Sequence, residues 1–162
     1  MLTHKLHYND FNEVVYELIA IHTTLKDYRL AYFINKKLSI ILTRDEKDIY
    51  IRAKEVETYL VRFLYNSIEN DFSCDLIQNH KVVPIKGVIN SFSLFDNEVV
   101  SMEKKVYLLP EFSEVDFFFK IENSQNLLDI KEIIAIIYSI DEVYKVYKVD
   151  LERIKSKNNL IF

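Results

Sequence analysis

Glycine is almost missing from this sequence: Gly87 is the only one in 162 residues. P-loops and dinucleotide-binding turns need several positions without a Cβ, where backbone approaches phosphate closely. Nucleotide enzymes of those two designs are therefore excluded. The nucleophile elbow of serine hydrolases is absent for the same reason. Cysteine is as scarce. Cys74 stands alone, so one chain forms neither an internal disulfide nor a thiolate metal cluster, which fits a reducing compartment. No basic neighbour in sequence activates it, and it reads as a small apolar residue in a strand. Long hydrophobic runs are missing as well. The longest helically spaced apolar stretch, Ile130 to Ile140, is interrupted by Lys131 and Glu132, well short of the roughly eighteen uncharged residues of a membrane span. The opening residues carry His4, Lys5 and His7 but no apolar core of signal-peptide length. A soluble cytoplasmic protein, without membrane contact and without a cofactor, is the expectation. A net charge of −4 gives no basic footprint for nucleic acid.

Aromatics are what the chain has in quantity, with 11 Phe and 11 Tyr and no Trp. A chain of this length buries roughly two-thirds of its unfolded surface as one domain, here read as residues 1–162. Val14 to His22 (VVYELIAIH) is apolar and β-branched, which suits a central strand. Thr23, Thr24 or Asp27 can cap a following helix, in which Leu30, Phe33, Ile34 and Leu38 recur at helical spacing. Lys36 and Lys37 favour its C-terminal end, and Ser39 to Thr43 (SIILT) reads as a second strand. The last third repeats the plan. In Val115 to Ile121, Val115, Phe117, Phe119 and Ile121 share one face while Asp116, Phe118 and Lys120 share the other. Ser124 or Asn126 can cap a helix lined by Ile130, Ile133, Ile134 and Ile137. Glu142 to Val149 is a β-branched and aromatic strand.

Two β-α-β units, about 14–43 and 115–149, predict an α+β fold. It is a mostly antiparallel sheet with two helices on one face, a ferredoxin-like or ACT-like split βαβ frame. Between the units, about 45–109, lie extra strands. Thr58 to Tyr65 and Phe72 to Gln78 are two of them, parted by turn residues. Pro84 and Gly87 mark a loop, and Val106 to Leu109 is a short strand stopped by Pro110. The insertion either extends the sheet or covers its open face, and a tail follows at 150–162.

Leu109 to Phe117 reads LPEFSEVDF. This resembles the signature of the small bacterial proteins called the IPExxxVDY family, known from Bacteroidetes. Pro110, Glu111, Val115 and Asp116 match; Leu109 replaces the Ile and Phe117 the Tyr. The segments at Leu18 to Leu38 and Lys155 to Phe162 are also similar to that family. The resemblance implies no activity, and the change to Phe117 removes a hydroxyl from the signature.

Three carboxylates, Glu111, Glu114 and Asp116, sit at this corner. Paired carboxylates perform acid–base chemistry when burial separates their pKa values. The plainer expectation is that Glu111 and Asp116 bind backbone amides of the corner or an arginine such as Arg29, Arg44 or Arg52. No catalytic residue is assigned. His4, His7 and His22 lack ligand spacing for zinc, so no metal is expected; His22 reads as a hydrogen-bonded core or cap residue. Tyr16 and Phe118 can stack bases as in RNA-recognition modules, but Asp116 and Glu122 beside them repel a phosphate backbone. Leu160, Ile161 and Phe162 are too apolar for a frayed tail and dock either on the chain's own core or on a partner. The leading expectation is a non-catalytic binding, scaffolding or regulatory module that contacts a protein partner or pairs as a homodimer. Single-stranded RNA binding on the open sheet face is the alternative. An enzyme using Glu111 and Asp116 comes third.

Overall fold

In a computed structural model, residues 15–86, 101–122 and 129–162 are described. The elements run β1 (Tyr16–Thr23), α1 (Asp27–Leu38), β2 (Thr43–Arg44), β3 (Ile49–Ala53), β4 (Val56–Leu60), β5 (Arg62–Ser67), β6 (Phe72–Gln78), β7 (His80–Lys86), β8 (Ser101–Tyr107), β9 (Phe117–Glu122), α2 (Ile130–Tyr138) and β10 (Val143–Lys148). The fold is α+β. A six-stranded sheet has the order β10-β1-β9-β6-β5-β2, and its pairs are all antiparallel. Two hairpins, β3–β4 and β7–β8, stand apart as separate two-stranded sheets.

Both helices cover one face of the large sheet. Leu30, Ala31 and Ile34 of α1 and Ile133 and Ile137 of α2 pack with Ile19, Ile21, Phe63, Leu76, Phe117, Phe119 and Ile121. The opposite face is buried too. Leu18, Ala20, Ile77 and Phe118 meet Ile49, Ile51, Val56 and Leu60 of the first hairpin. Val106, Leu108, Leu109, Phe112 and Val115 continue that second core, which Val149, Ile154 and Leu160 complete. Alternation explains the division, because successive residues of β9 point to opposite faces.

Turns that usually recruit glycine are made without it. Ser39 (φ 55°), Lys54 (φ 58°), Asp71 (φ 51°) and Glu142 (φ 69°) all occupy the left-handed region. Each carries a steric cost of about 1 kcal/mol relative to glycine. Ser39 ends α1 in this way, so the chain leaves the helix at once. Residues 40–42 then run as irregular backbone, held because Asn35 donates to the Leu42 carbonyl (3.1 Å) and accepts from its N–H (2.8 Å).

The structure corrects several expectations. The strand at Ser39 to Thr43 shrinks to Thr43–Arg44, and β6, not this segment, lies beside β9. Thr58 to Tyr65 is two strands in different sheets, broken at Val61. Pro84 lies inside β7 opposite Glu103 rather than in a loop; a two-stranded ribbon tolerates the lost donor at its edge. Gly87 falls outside the described residues, as do Ser124 and Asn126. The cap of α2 is Asp129, whose side chain accepts from the Lys131 N–H. α1 has no side-chain cap; Thr23 accepts from the Leu25 N–H instead. Val115 precedes β9 in a turn and belongs to the second core, not to the face of Phe117.

Candidate functional site

Strands β8 and β9 do not pair with each other, so Leu108 to Asp116 bridges two sheets rather than closing a hairpin. Pro110 opens a short 3-10 turn, Pro110–Phe112, where its missing N–H is harmless. Such a crossing leaves buried backbone groups without ladder partners. Asn79, fully buried, supplies them. Its amide donates to the carbonyls of Phe112 (2.9 Å) and Val115 (2.8 Å), and its side-chain oxygen accepts from the Leu109 N–H (3.0 Å). Its own backbone bonds Leu108 and Asp116. Sequence reasoning passed over Asn79. The available signal was an amide directly after an apolar strand, which is common at turns.

Glu111 faces the chain after β10. Its carboxylate accepts from the N–H groups of Lys155 (2.7 Å) and Ser156 (2.8 Å) and from the Ser156 hydroxyl (3.1 Å). Burial pushes the carboxyl up, but these donors outweigh it and hold Glu111 below the usual carboxylate range. Asp116 serves the other end of the corner. It accepts from the Thr23 N–H (2.9 Å), from His80 Nε2 (3.1 Å) and, more distantly, from the Tyr144 hydroxyl (3.4 Å). Burial raises this group as well; the His80 hydrogen bond, the Thr23 amide and the nearby imidazoles bring it below its ordinary value. Neither acid meets an arginine. Arg29 pairs with Glu142, Arg44 with Asp48 and Asp27, and Arg52 with Glu57. Glu114 is exposed.

The histidines divide. His22 is buried, and its Nε2 has no hydrogen-bond partner among the described residues. Desolvation holds its pKa below the usual value. Its ring lies 6.0 Å from Tyr144 and 5.8 Å from Tyr147. His4 and His7 fall outside the described residues. Among those described, no three His, Cys, Asp or Glu side chains converge as a metal site. Cys74 is buried in β6, and desolvation pushes its thiol up to about 12, so it remains protonated.

The hollows beside the signature are modest. About 250 Å³ opens next to Glu111, Glu114, Tyr147 and Arg153. Another 300 Å³ lies between Thr23, Gln78, His80 and Asp116. Phe117, the position of the missing hydroxyl, is buried in the helix-covered core. Tyr16 and Phe118 do not form a stacking pair. Phe118 has no exposed surface and meets Phe112 edge-on at 6.1 Å, while the Lys120 ammonium lies 5.1 Å from the Tyr16 ring centroid. The face that would carry bases is covered by the inserted hairpins and the tail.

The tail docks on the chain itself. Ile154 and Leu160 are buried in the second core, and Asn159 donates to the Leu108 carbonyl (2.7 Å). Beneath Leu160 the sheet face turns from apolar to charged. Arg62 bridges Asp45 (3.0 Å) and Asp75 (2.8 Å). Buried Lys120 contacts Glu122 and donates to the Leu160 carbonyl (3.1 Å). Phe162 lies over both cations, 4.4 Å from the Arg62 guanidinium and 5.0 Å from the Lys120 ammonium. Ile161 points outward. Cations over an aromatic face attract the negative ring quadrupole. Among the described residues, no helix is long and apolar enough to cross a membrane. No family model, curated protein or solved structure matches this chain.

Proposed function

We propose that this protein is a non-catalytic binding or scaffolding module that works through contacts with polypeptide. The observation that carries this reading is the use of Glu111: among the described residues its side-chain hydrogen bonds go to residues 155 and 156 of an irregular segment. A carboxylate that accepts from two backbone amides and a hydroxyl, and is kept ionised by them, is a grip on backbone rather than a proton shuttle. Asp116 accepts from one backbone N–H, that of Thr23, together with the His80 ring. On this reading the stretch that resembles the IPExxxVDY signature is a device for seating a chain segment. The strand order β10-β1-β9-β6, with both helices on one face, supports a split βαβ frame in which β6 takes the second strand's place.

The test is retention of proteins from a lysate of the source cells on the immobilised full chain. Saturable retention of one or a few proteins that survives nuclease is expected. Retention abolished by nuclease and falling steeply with salt would favour the RNA alternative. No retention at all would remove the binding reading.

A further inference from the structure

Of the two described histidines, only His22 is buried, at 5% exposure. It stands on β1 where the pairing register with β10 shifts, opposite Lys145. On its other side Ile21 pairs with Phe117, which brings the corner residue Asp116 alongside. The Asp116 N–H donates to the Ile21 carbonyl (3.1 Å), and the Thr23 N–H donates to the Asp116 carboxylate (2.9 Å). The Thr23 hydroxyl donates in turn to the Glu142 carbonyl (2.8 Å). His22 therefore sits inside the seam that joins β1, β10 and the corner, with its ring against Tyr144 and Tyr147.

Nε2 of this ring decides what a proton does there. It is buried and has no hydrogen-bond partner among the described residues. With the ring neutral and its proton on Nδ1, Nε2 is an empty acceptor. Protonation turns it into a charged donor at a place that offers no acceptor. An unpaired buried charge costs far more than an unpaired neutral atom. The charged groups around it divide. Lys145 repels the cation, whereas Asp116, Glu114 and the Glu114 backbone favour it. His80 of β7 shares Asp116 with the seam (3.1 Å), and the Tyr144 and Tyr147 phenols stay neutral because burial raises both. Desolvation and Lys145 prevail and hold the His22 pKa below the ordinary value.

We infer that His22 is a proton-sensitive latch: its neutral ring locks β1 to β10 and the corner, and proton uptake loosens that seam. The charged ring finds relief at the Glu114 carboxylate, which lines the hollow of about 250 Å³ that Tyr147 also lines. Reaching it draws the ring from the tyrosines and parts the corner from β10. The latch does not depend on whether the chain binds a partner. As pH falls, the unfolded chain takes this proton first, near 6.5, and the folded chain only at lower pH. The folded state is thus unpenalised above 6.5 and loses stability as pH falls from there through the folded value. Asp116, which lies below its ordinary 3.8, adds its own loss only in more acid solution.

The test is urea unfolding of the full chain between about pH 7.5 and 5, for wild type, His22→Phe and His80→Gln. Wild type and His80→Gln should lose stability on acidification, by up to about tenfold in the folding equilibrium per pH unit, one proton's worth. The loss should be clearly smaller for His22→Phe. Equal slopes in wild type and His22→Phe, or a slope abolished by His80→Gln instead, overturn the inference. NMR titration of the wild-type His22 ring needs no change in the core. Its midpoint should lie below the ordinary value, move to higher pH in Lys145→Gln and to lower pH in Glu114→Gln, both exposed positions. A midpoint at the ordinary value, or one indifferent to both neighbours, overturns the inference as well. Amide protection at Thr23 and Asp116 should fall ahead of that at Leu76 and Ile77 in β6. A fall shared equally by all four removes the seam.

Discussion

The two faces of the central sheet are buried to a similar degree by opposite means. The first is covered by α1 and α2, whose backbones are self-satisfied and whose apolar stripes need only land on Ile19, Ile21, Phe119 and Ile121. The second is covered by two hairpins, the signature corner and the tail. Those pieces bring backbone groups without ladder partners into buried and half-buried positions, where each must find a donor or acceptor. Asn79, Glu111, Asp116 and Lys120 supply them. A helix-covered face is thus held by packing, whereas a loop-covered face is held jointly by packing and by a few polar side chains that cannot be exchanged for apolar ones.

That contrast is sharpest at Asn79. Replacing it with alanine leaves the Leu109 N–H and the Val115 carbonyl without partners and the Phe112 carbonyl with only the Val115 N–H, and is expected to cost at least about 2 kcal/mol. That is comparable to truncating Ile34 or Ile137 on the helix side, where a large-to-small change costs about 2–5 kcal/mol. Urea melts of Asn79→Ala showing less than about 1 kcal/mol would break the comparison. Next comes Leu160→Ala, expected to cost about 2–4 kcal/mol through the cavity it leaves under the tail; a melt unchanged from wild type would mean that the tail is not part of the second core.

Glu111→Gln should cost less, about 1–2 kcal/mol, since it weakens charge-assisted hydrogen bonds without opening a cavity. It also has a pH signature. Glu111 lies below its ordinary value of 4.5 in the folded chain. The stability it adds is therefore fully present above that value and is lost as pH falls through the lower folded value. Wild-type and Glu111→Gln stabilities should converge on the acid side, and urea midpoints between about pH 3 and 7 read this directly. Parallel curves would show that the carboxylate charge is not what grips residues 155 and 156. The smallest effect is expected for Ile161→Ser, within about 0.5 kcal/mol, because Ile161 is 79% exposed. A larger loss in a thermal melt would place Ile161 against the hairpin.

The helix-covered half was largely legible. The spacing of Leu30 and Ile34, of Ile133 and Ile137, and the alternation from Phe117 to Ile121 follow the periods of helix and strand, which are local properties. Phe72 to Gln78 was readable for the same reason. The second half was not. Nothing in Ser39 to Thr43 announces that Asn35 will hold it out of a strand, and nothing in Thr58 to Tyr65 shows that Val61 divides two sheets. At the candidate site the acids Glu111 and Asp116 stood out as corner residues that bind backbone. Their partners did not, because Lys155, Ser156, Thr23 and His80 are brought to them across long stretches of chain.

By itself the sequence determined the period of the two helices and of the central strands, the absence of glycine-built phosphate sites, and two apolar sets that alternate along those strands. Those features act over a few residues and need no knowledge of distant chain. Only the tertiary structure decided which pieces lie on the second face and which polar groups satisfy them. A buried amide or carboxylate takes whatever donor the fold delivers, and delivery depends on the path of the whole chain.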